Sequence, residues 1–366
     1  MNKPSKIYGE GIDQKALDQF ASAMELDCVM RGALMPDAHA GYTLPIGAVI
    51  ATNGMVYPSW VGYDIGCGMC AIQTTLEASS LESIDVKNRV MAGIYESVPC
   101  GMGGHGDELS LPNGSRTPLL DEMAEKRHAT RQIGTLGGGN HFIEIGEDEQ
   151  RHVWIIIHSG SRGVGHGVAG RYMAIAANSD KPKEGHFGFL SDSALGMDYI
   201  DDLNWCLEYA LMNRKEIVRR VSSVLKVETG ADPIWGSLIN RNHNHAELKD
   251  GVWIHRKGAT QAEAGMMGVI PGNMRDGSFI VRGLGNPDAL WSSSHGAGRT
   301  MGRMEAKRTL DHAQFVSDMV NVTCRTDEEI LDEAPRAYKD IFEVMKAQDG
   351  LVDILHHVTP IINAKG

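Results

Sequence analysis

VWIIIHSGSRG, residues 153–163, is an apolar run of five that ends on a histidine and a glycine-rich polar turn. A run this short and this apolar predicts a buried strand. It delivers His158, and beyond the turn Arg162. The same pattern recurs along the chain. LPIGAVIA (44–51) reads as another buried strand. VGYDIGCGMC (61–70) is a glycine-punctuated turn that continues into a strand at 71–75. GTLGGGNHFIEI (134–145) opens a strand, VWIHRKG (252–258) is a strand-to-turn, and PGNM (271–274) is a turn before SFIV (278–281). Residues 12–27 carry a helical period, with Ile12, Ala16, Phe20 and Met24 on one face. Helices are expected at 81–98, 118–131, 198–226 and through 300–348. MPDAHAGY (35–42) reads as a loop and NRNHNH (240–245) as a polar turn. CGMGGHGDELSLPNGSRT (100–117) reads as a polar loop and candidate lid. No repeat, linker or composition break divides the chain. The expected fold class is α+β, with mixed β-sheets surrounded by helices, in a single domain over 1–366.

Composition narrows the function classes. The net charge of −12 excludes a uniformly basic nucleic-acid coat, though not a local basic groove. Glycine is enriched, at 43 of 366 residues, and clusters in short turns. Cys28, Cys67, Cys70, Cys100, Cys206 and Cys324 are scattered without framework spacing, so a reducing, cytoplasmic setting is expected. No apolar run reaches membrane-spanning length, so no membrane partner is expected.

The turns carry the chemistry. In SHGAGR (294–299) a histidine has glycines at +1 and +3 and an arginine at +4. This reads as a strand-to-helix turn where backbone N–H groups approach a phosphate, with His295 as a nucleophile at phosphorus. A tight turn with a surface histidine is the plainer alternative. Asp64, Cys67, His141, His158 and His243 each stand on a turn at a strand end. Carboxylate, thiolate and imidazole are ligands for divalent transition metals, and five ligands exceed one tetrahedral site. A thiolate shared by two ions would suit phosphoryl chemistry. Each histidine could instead be structural, Asp64 an Asx-turn residue, and the Cys67–Cys70 pair a redox dithiol.

Taken together, MPDAHAGYTLPIGAVIA, VGYDIGCGM, GTLGGGNHFIEIG, HSGSRGVG, His243–Asn244, HRKGAT, IPGNM, SHGAGRTMGR, EAPRAY and the terminal KG resemble the RtcB family of RNA ligases. That family joins RNA 3′-phosphate or 2′,3′-cyclic phosphate ends to 5′-hydroxyl ends. The resemblance implies an RtcB-like fold and GTP as cosubstrate, with His295 taking GMP. It implies two manganese ions, one on Cys67, His158 and His243 and one on Asp64, Cys67 and His141. Ligand softness alone suggests zinc. The resemblance places the guanine nucleotide on Asn140, Glu144, Asn244, Asn273, Ser278, Tyr338 and Lys365, with Gly296, Ala297 and Gly298 along the phosphates. It assigns Arg162, Arg299 and Arg303 to the RNA end. Because the net charge disfavours tight nonspecific RNA binding, a local positive channel near Arg162, Lys257, Arg299 and Arg303 is expected. Asp37 would orient a ligand or water, or cap a turn. Asn273 stands where the family pattern has serine, so an amide replaces a hydroxyl there. The arginine expected before GTLG has Arg127 and Arg131 as candidates. A small activating protein is a partner of some members. The rival enzyme reading is a metal-dependent phosphohydrolase that opens RNA phosphate ends without ligation. A non-catalytic RNA-end binder would have lost metal ligands, and none of the expected set is missing.

Overall fold

The computed structural model describes residues 3–101 and 103–366. The buried run at 153–157 is the heart of strand His152–Ser159, which is central in the larger sheet. The order across that sheet is Met267–Pro271, Ser278–Gly283, Val352–Lys365, Phe142–Glu147, His152–Ser159, Gly68–Glu77 and Ile239–Asn242, with Thr323–Cys324 beside the 352–365 strand. A second sheet runs Ser5–Ile7, Val29–His39, Ile46–Thr52, Val252–Lys257 and Asn244–Lys249. Pairing is antiparallel except where Ser5–Ile7 meets Val29–His39 and Thr323–Cys324 meets the C-terminal strand. The two sheets share a corner, because Ile239–Asn242 belongs to one and Asn244–Lys249 to the other. His243 is the corner residue.

Helices cover the faces. Ile84–Ser97 and the 36-residue Ala194–Thr229 lie on the larger sheet, where Ile72, Ile143, Ile155 and Ile157 meet Ile94, Ile217, Val221 and Leu225. Gln14–Met24 packs Phe20 and Ala23 onto Leu34 and Ile50 of the second sheet. The mixed α+β class stands as expected. No helix among the described residues is long and apolar enough to cross a membrane.

Several local expectations are corrected. Residues 35–39 are strand, not loop. Pairing with Ile46–Thr52 shifts register between Leu34 and His39, and that irregular stretch accommodates Pro36. Residues 240–245 are two strands meeting at His243, not a turn, because their polar side chains find buried partners. The segment 300–348 is helical only at Arg303–Thr309, His312–Asp318 and Ile341–Ala347, apart from short 3₁₀ turns. The expected helix 118–131 breaks into Pro118–Lys126 and Ala129–Gln132, with His128 left-handed at φ 50°. The chain end, which carries no clear apolar alternation, is the 14-residue strand Val352–Lys365. The candidate lid at 100–117 contains no helix or strand among its described residues, and residue 102 lies outside them.

Candidate functional site

Asp64 and Cys67 stand on the turn before Gly68–Glu77, His141 just before Phe142–Glu147, His158 near the end of His152–Ser159, and His243 at the corner. Antiparallel pairing of these strands brings the five together. Cys67 Sγ lies 3.1 Å from His158 Nε2 and 3.5 Å from His141 Nε2. His141 Nε2 is 3.1 Å from Asp64 Oδ2, and His158 Nε2 is 3.4 Å from His243 Nε2. The ligand atoms of Cys67, His141 and His158 all lie within 4.8 Å of one another.

The donor set fits a cation. His141 Nδ1 faces the Leu136 carbonyl at 3.0 Å and His158 Nδ1 the Asn140 carbonyl at 3.1 Å. Each ring then gives its N–H to a carbonyl and turns a lone pair on Nε2 toward the thiol. His243 Nδ1 is buried without a partner among the described residues. Burial, then neighbouring imidazoles, push His158 and His243 well below the usual histidine range, which keeps them neutral. Burial also pushes the Cys67 thiol up, so metal binding there releases a proton. Burial works against ionised Asp64, but His141 outweighs it and holds the carboxyl at about 2. A carboxylate and imidazole lone pairs crowded around one thiol, with a single thiol proton among them, are what a divalent ion resolves.

Two residues that sequence reasoning missed lock these turns together. Asn213 and Arg214 sit mid-way along Ala194–Thr229, both fully buried. The Arg214 guanidinium donates to the carbonyls of Gly66 and Ser159 at 2.8 Å and to Asn240 and Asn242 at 2.6 Å. Asn213 accepts from Gly134 and Thr135 N–H and donates to Ser159 and Gly160. The available signal was a polar residue at 213 on a stripe otherwise formed by Leu203, Cys206, Ala210, Ile217 and Val221.

His295 follows strand Ser292–Ser294 and stands between two cavities. Its Nδ1 lies 2.6 Å from Asp37 Oδ2, and the same oxygen accepts from the backbone N–H groups of His295 and Gly296 at 3.1 and 3.3 Å. Buried Asp37 thus orients the imidazole and leaves Nε2 as the free nitrogen. Gly298, at φ +76°, passes so close to the Asp37 carbonyl that a Cβ would clash with it. The His243 ring is edge-on to His295, with centroids 4.8 Å apart. One expectation fails here. The next helix starts at Arg303, so the HGAG turn is not a helix N-terminus, and the Gly296 N–H is already engaged by Asp37.

On one side of His295 is a cavity of about 310 Å³ lined by Asn140, Phe142, Glu144, Asn273, Ser278, Gly296, Ala297, Gly298, Tyr338, Asn363 and Lys365, among others, with Arg299 and Arg303 on the wall it shares with the neighbouring cleft. Of the residues expected at a nucleotide, Asn244 lies elsewhere. It lines the cleft on the Cys67 side, tied to the Asp64 carbonyl and the Gly258 N–H. Asn273 spends its amide inside its own turn, donating to Asp276 at 2.7 Å and accepting from the Arg275 and Asp276 N–H groups. Glu144 accepts from Ser278 at 3.0 Å and Asn363 at 3.3 Å. Glu333, which sequence reasoning also missed, accepts from Lys365 and Arg303 at 2.6 Å, Tyr338 at 2.7 Å and Arg299 at 3.2 Å. Burial opposes its charge, but Lys365 and Arg303 hold it at about 2.

On the other side is a cleft of about 700 Å³ lined by Tyr42, Tyr63, Asp64, Cys67, His243, Lys257, Arg299 and Arg303, among others. Three of the four cations of the expected positive channel therefore converge. Each is already engaged: Arg299 and Arg303 by Glu333, Arg303 also by Asp332, and Lys257 by the Ser59 carbonyl at 3.2 Å. Arg162 does not join them. It folds under the GTLGGG turn, donating to Thr135 at 2.9 Å and the Gly101 carbonyl at 2.6 Å. Arg127 and Arg131 line neither cavity.

The family model described as tRNA-splicing ligase RtcB matches residues 19–127 and 113–366. The RNA-splicing ligase RtcB of Escherichia coli (strain K12) is 33% identical over 400 residues, covering 100% of this chain and 98% of that protein. The tRNA-splicing ligase RtcB of Aeropyrum pernix is 28% identical over 462 residues, covering 100% and 96%. With all ten blocks in order and a family match across nearly its whole length, this chain belongs to the RtcB family of tRNA-splicing ligases.

Proposed function

We propose that residues 1–366 act as one catalytic domain, a GTP- and manganese-dependent RNA ligase that joins 3′-phosphate or 2′,3′-cyclic phosphate ends to 5′-hydroxyl ends. The observation that carries this reading is the placement of His295, between a nucleotide-sized cavity and a cleft walled by metal-type ligands, with Asp37 on its Nδ1. Manganese bound at Cys67 with Asp64, His141, His158 and His243 would supply Lewis-acid neutralisation of phosphate oxygens. Glu144, Ser278 and Lys365 hold the guanine, and Glu144 accepts from N1–H and N2–H₂. His295 Nε2 attacks the α-phosphorus, a P–N bond forms, and the bond to pyrophosphate breaks. Asp37 steadies the positive charge that develops on the ring. The RNA 3′-phosphate then takes GMP from His295, and the 5′-hydroxyl attacks that activated end and expels GMP. This splits one difficult joining into separate phosphoryl transfers. A thiol ligand at Cys67 suits a reducing compartment, the cytoplasm.

The test is incubation with α-labelled GTP and Mn²⁺ in the absence of RNA, followed by denaturation. Acid-labile label is expected on the wild type and absent from His295→Ala. Absence of label from a metal-loaded wild type would favour a phosphohydrolase, which needs neither His295 nor a guanine pocket.

A further inference from the structure

The cleft on the metal side contains a feature that the phosphoryl chemistry does not use. Tyr42 and Tyr63 both line it. Tyr42 is 81% exposed. A single exposed ring is ordinary on a protein surface. Here, however, the backbone that carries it is clamped. Gln19, on helix Gln14–Met24, donates to the carbonyls of Gly41 and Tyr42 at 2.8 Å and accepts the Gly41 N–H at 3.0 Å. The ring is therefore held out at the lip of the cleft on a fixed support. Tyr63, beside Asp64, is half-buried and backed by His166, with ring centroids 5.0 Å apart and planes at 22°.

Charge narrows the role of these rings. The chain carries −12 overall, and of the cations lining this cleft Lys257, Arg299 and Arg303 are engaged by protein oxygens, which leaves exposed Lys15 as the remaining one. Side-chain cations are thus a weak source of affinity for the RNA strand away from the reacting phosphate. Stacking on an aromatic ring needs no net charge and tolerates any base. The cavity on the far side of His295 is the one assigned to the guanine nucleotide, so RNA ends enter through this cleft.

We propose that Tyr42 and Tyr63, with His166 behind, form a stacking subsite for the terminal nucleobase of an RNA strand. The proposal rests on the ligase reading for its ligand. It assigns sequence-tolerant recognition of the end to rings rather than to an arginine channel.

The probe is a short fluorescent single-stranded RNA ending in a 3′-phosphate, compared with the same RNA whose terminal nucleotide is abasic, both at one fixed salt concentration. Fluorescence anisotropy reads binding without turnover. Tyr42→Ala is expected to weaken binding of the intact RNA about 5- to 150-fold. Tyr42→Phe, which keeps the ring, is expected to stay within about twofold of wild type. The abasic RNA should bind wild type and Tyr42→Ala alike. Tyr63→Ala, with its fold checked by circular dichroism, should show the same contrast. Equal loss for intact and abasic RNA, or no loss in either alanine variant, overturns the subsite. GMP labelling of the wild type is measured separately. If label is absent while the contrast persists, the ligase reading falls and the subsite stands. If label is present without the contrast, the subsite alone falls.

Discussion

At the scale of single residues, Glu144 governs how the cavity proposed for the nucleotide responds to pH. Burial pushes its carboxyl up to about 8, and hydrogen bonds from Ser278 and Asn363 offset only part of that cost. At neutral pH the empty cavity therefore holds a proton, whereas a guanine edge offers only donors to this group. If guanine binds here as proposed, it must expel the proton. GTP affinity is expected to rise about tenfold per pH unit as pH approaches 8 and to level off above it. Calorimetry near pH 7 in two buffers of different ionisation enthalpy should show proton release, and Glu144→Gln should abolish it. An unchanged buffer dependence in the variant would remove Glu144 from the guanine site. The stability linkage has the opposite sign from that of a salt-bridged carboxylate. Between pH 4.5 and about 8 the folded state binds more protons than the unfolded chain, so the Glu144 contribution to stability declines as pH rises through that window. Legibility at this scale was uneven. His295 was a candidate from its residue type in a glycine turn, whereas Asp37 and Glu144 were candidates only through the family resemblance. Glu333 was passed over inside EAPRAY, because only the folded chain brings Lys365, 32 positions away, onto it at 2.6 Å.

At the scale of elements, Ala194–Thr229 does more than cover a sheet. Leu203, Ile217, Val221 and Leu225 supply burial, while Asn213 and Arg214 reach through to the ends of the strands that carry Cys67, His141 and His158. Burial lowers the Arg214 guanidinium to about 10, which leaves it charged at neutral pH. Arg214→Met keeps apolar bulk but leaves buried carbonyls and amides unpaired, at roughly 1–3 kcal/mol each. A total loss of at least about 3 kcal/mol is expected in denaturant unfolding, together with weaker Mn²⁺ binding by calorimetry. Val227→Ala on the same helix, at a position 83% exposed, should stay within about 0.5 kcal/mol of wild type. Equal effects of the two substitutions would contradict the latch. The helical period was readable because apolar residues recur at 3.6 spacing. Strands 29–39, 244–249 and 352–365 were hidden, because their polar side chains are satisfied by partners far along the chain. In the C-terminal strand, Asn363 pairs with Glu144 and Lys365 with Phe142, and that register puts both side chains in the smaller cavity beside His295.

At the scale of the whole molecule, the acidic surface and the engaged cations predict a shallow salt dependence for RNA. If Lys15, Lys257, Arg299 and Arg303, the cations that line this cleft, are the ones that meet phosphate, log K against log salt should be no steeper than about −3 for a single strand. Filter binding across a salt series checks this. A slope near −4 would mean that more cations meet the RNA than this cleft holds. What the sequence determined by itself was the mixed α+β class and the family. Short apolar runs ending in chemically distinctive turns are local patterns, and ten such blocks in order leave little room for another assignment. Tertiary structure alone decided which turns face one another. Asp37 reaches His295 across 258 positions, and Arg214 ties together the turns of Cys67, His158 and His243. Those contacts depend on strand register and on a bulge at a proline, and side-chain spacing along one strand carries no information about either.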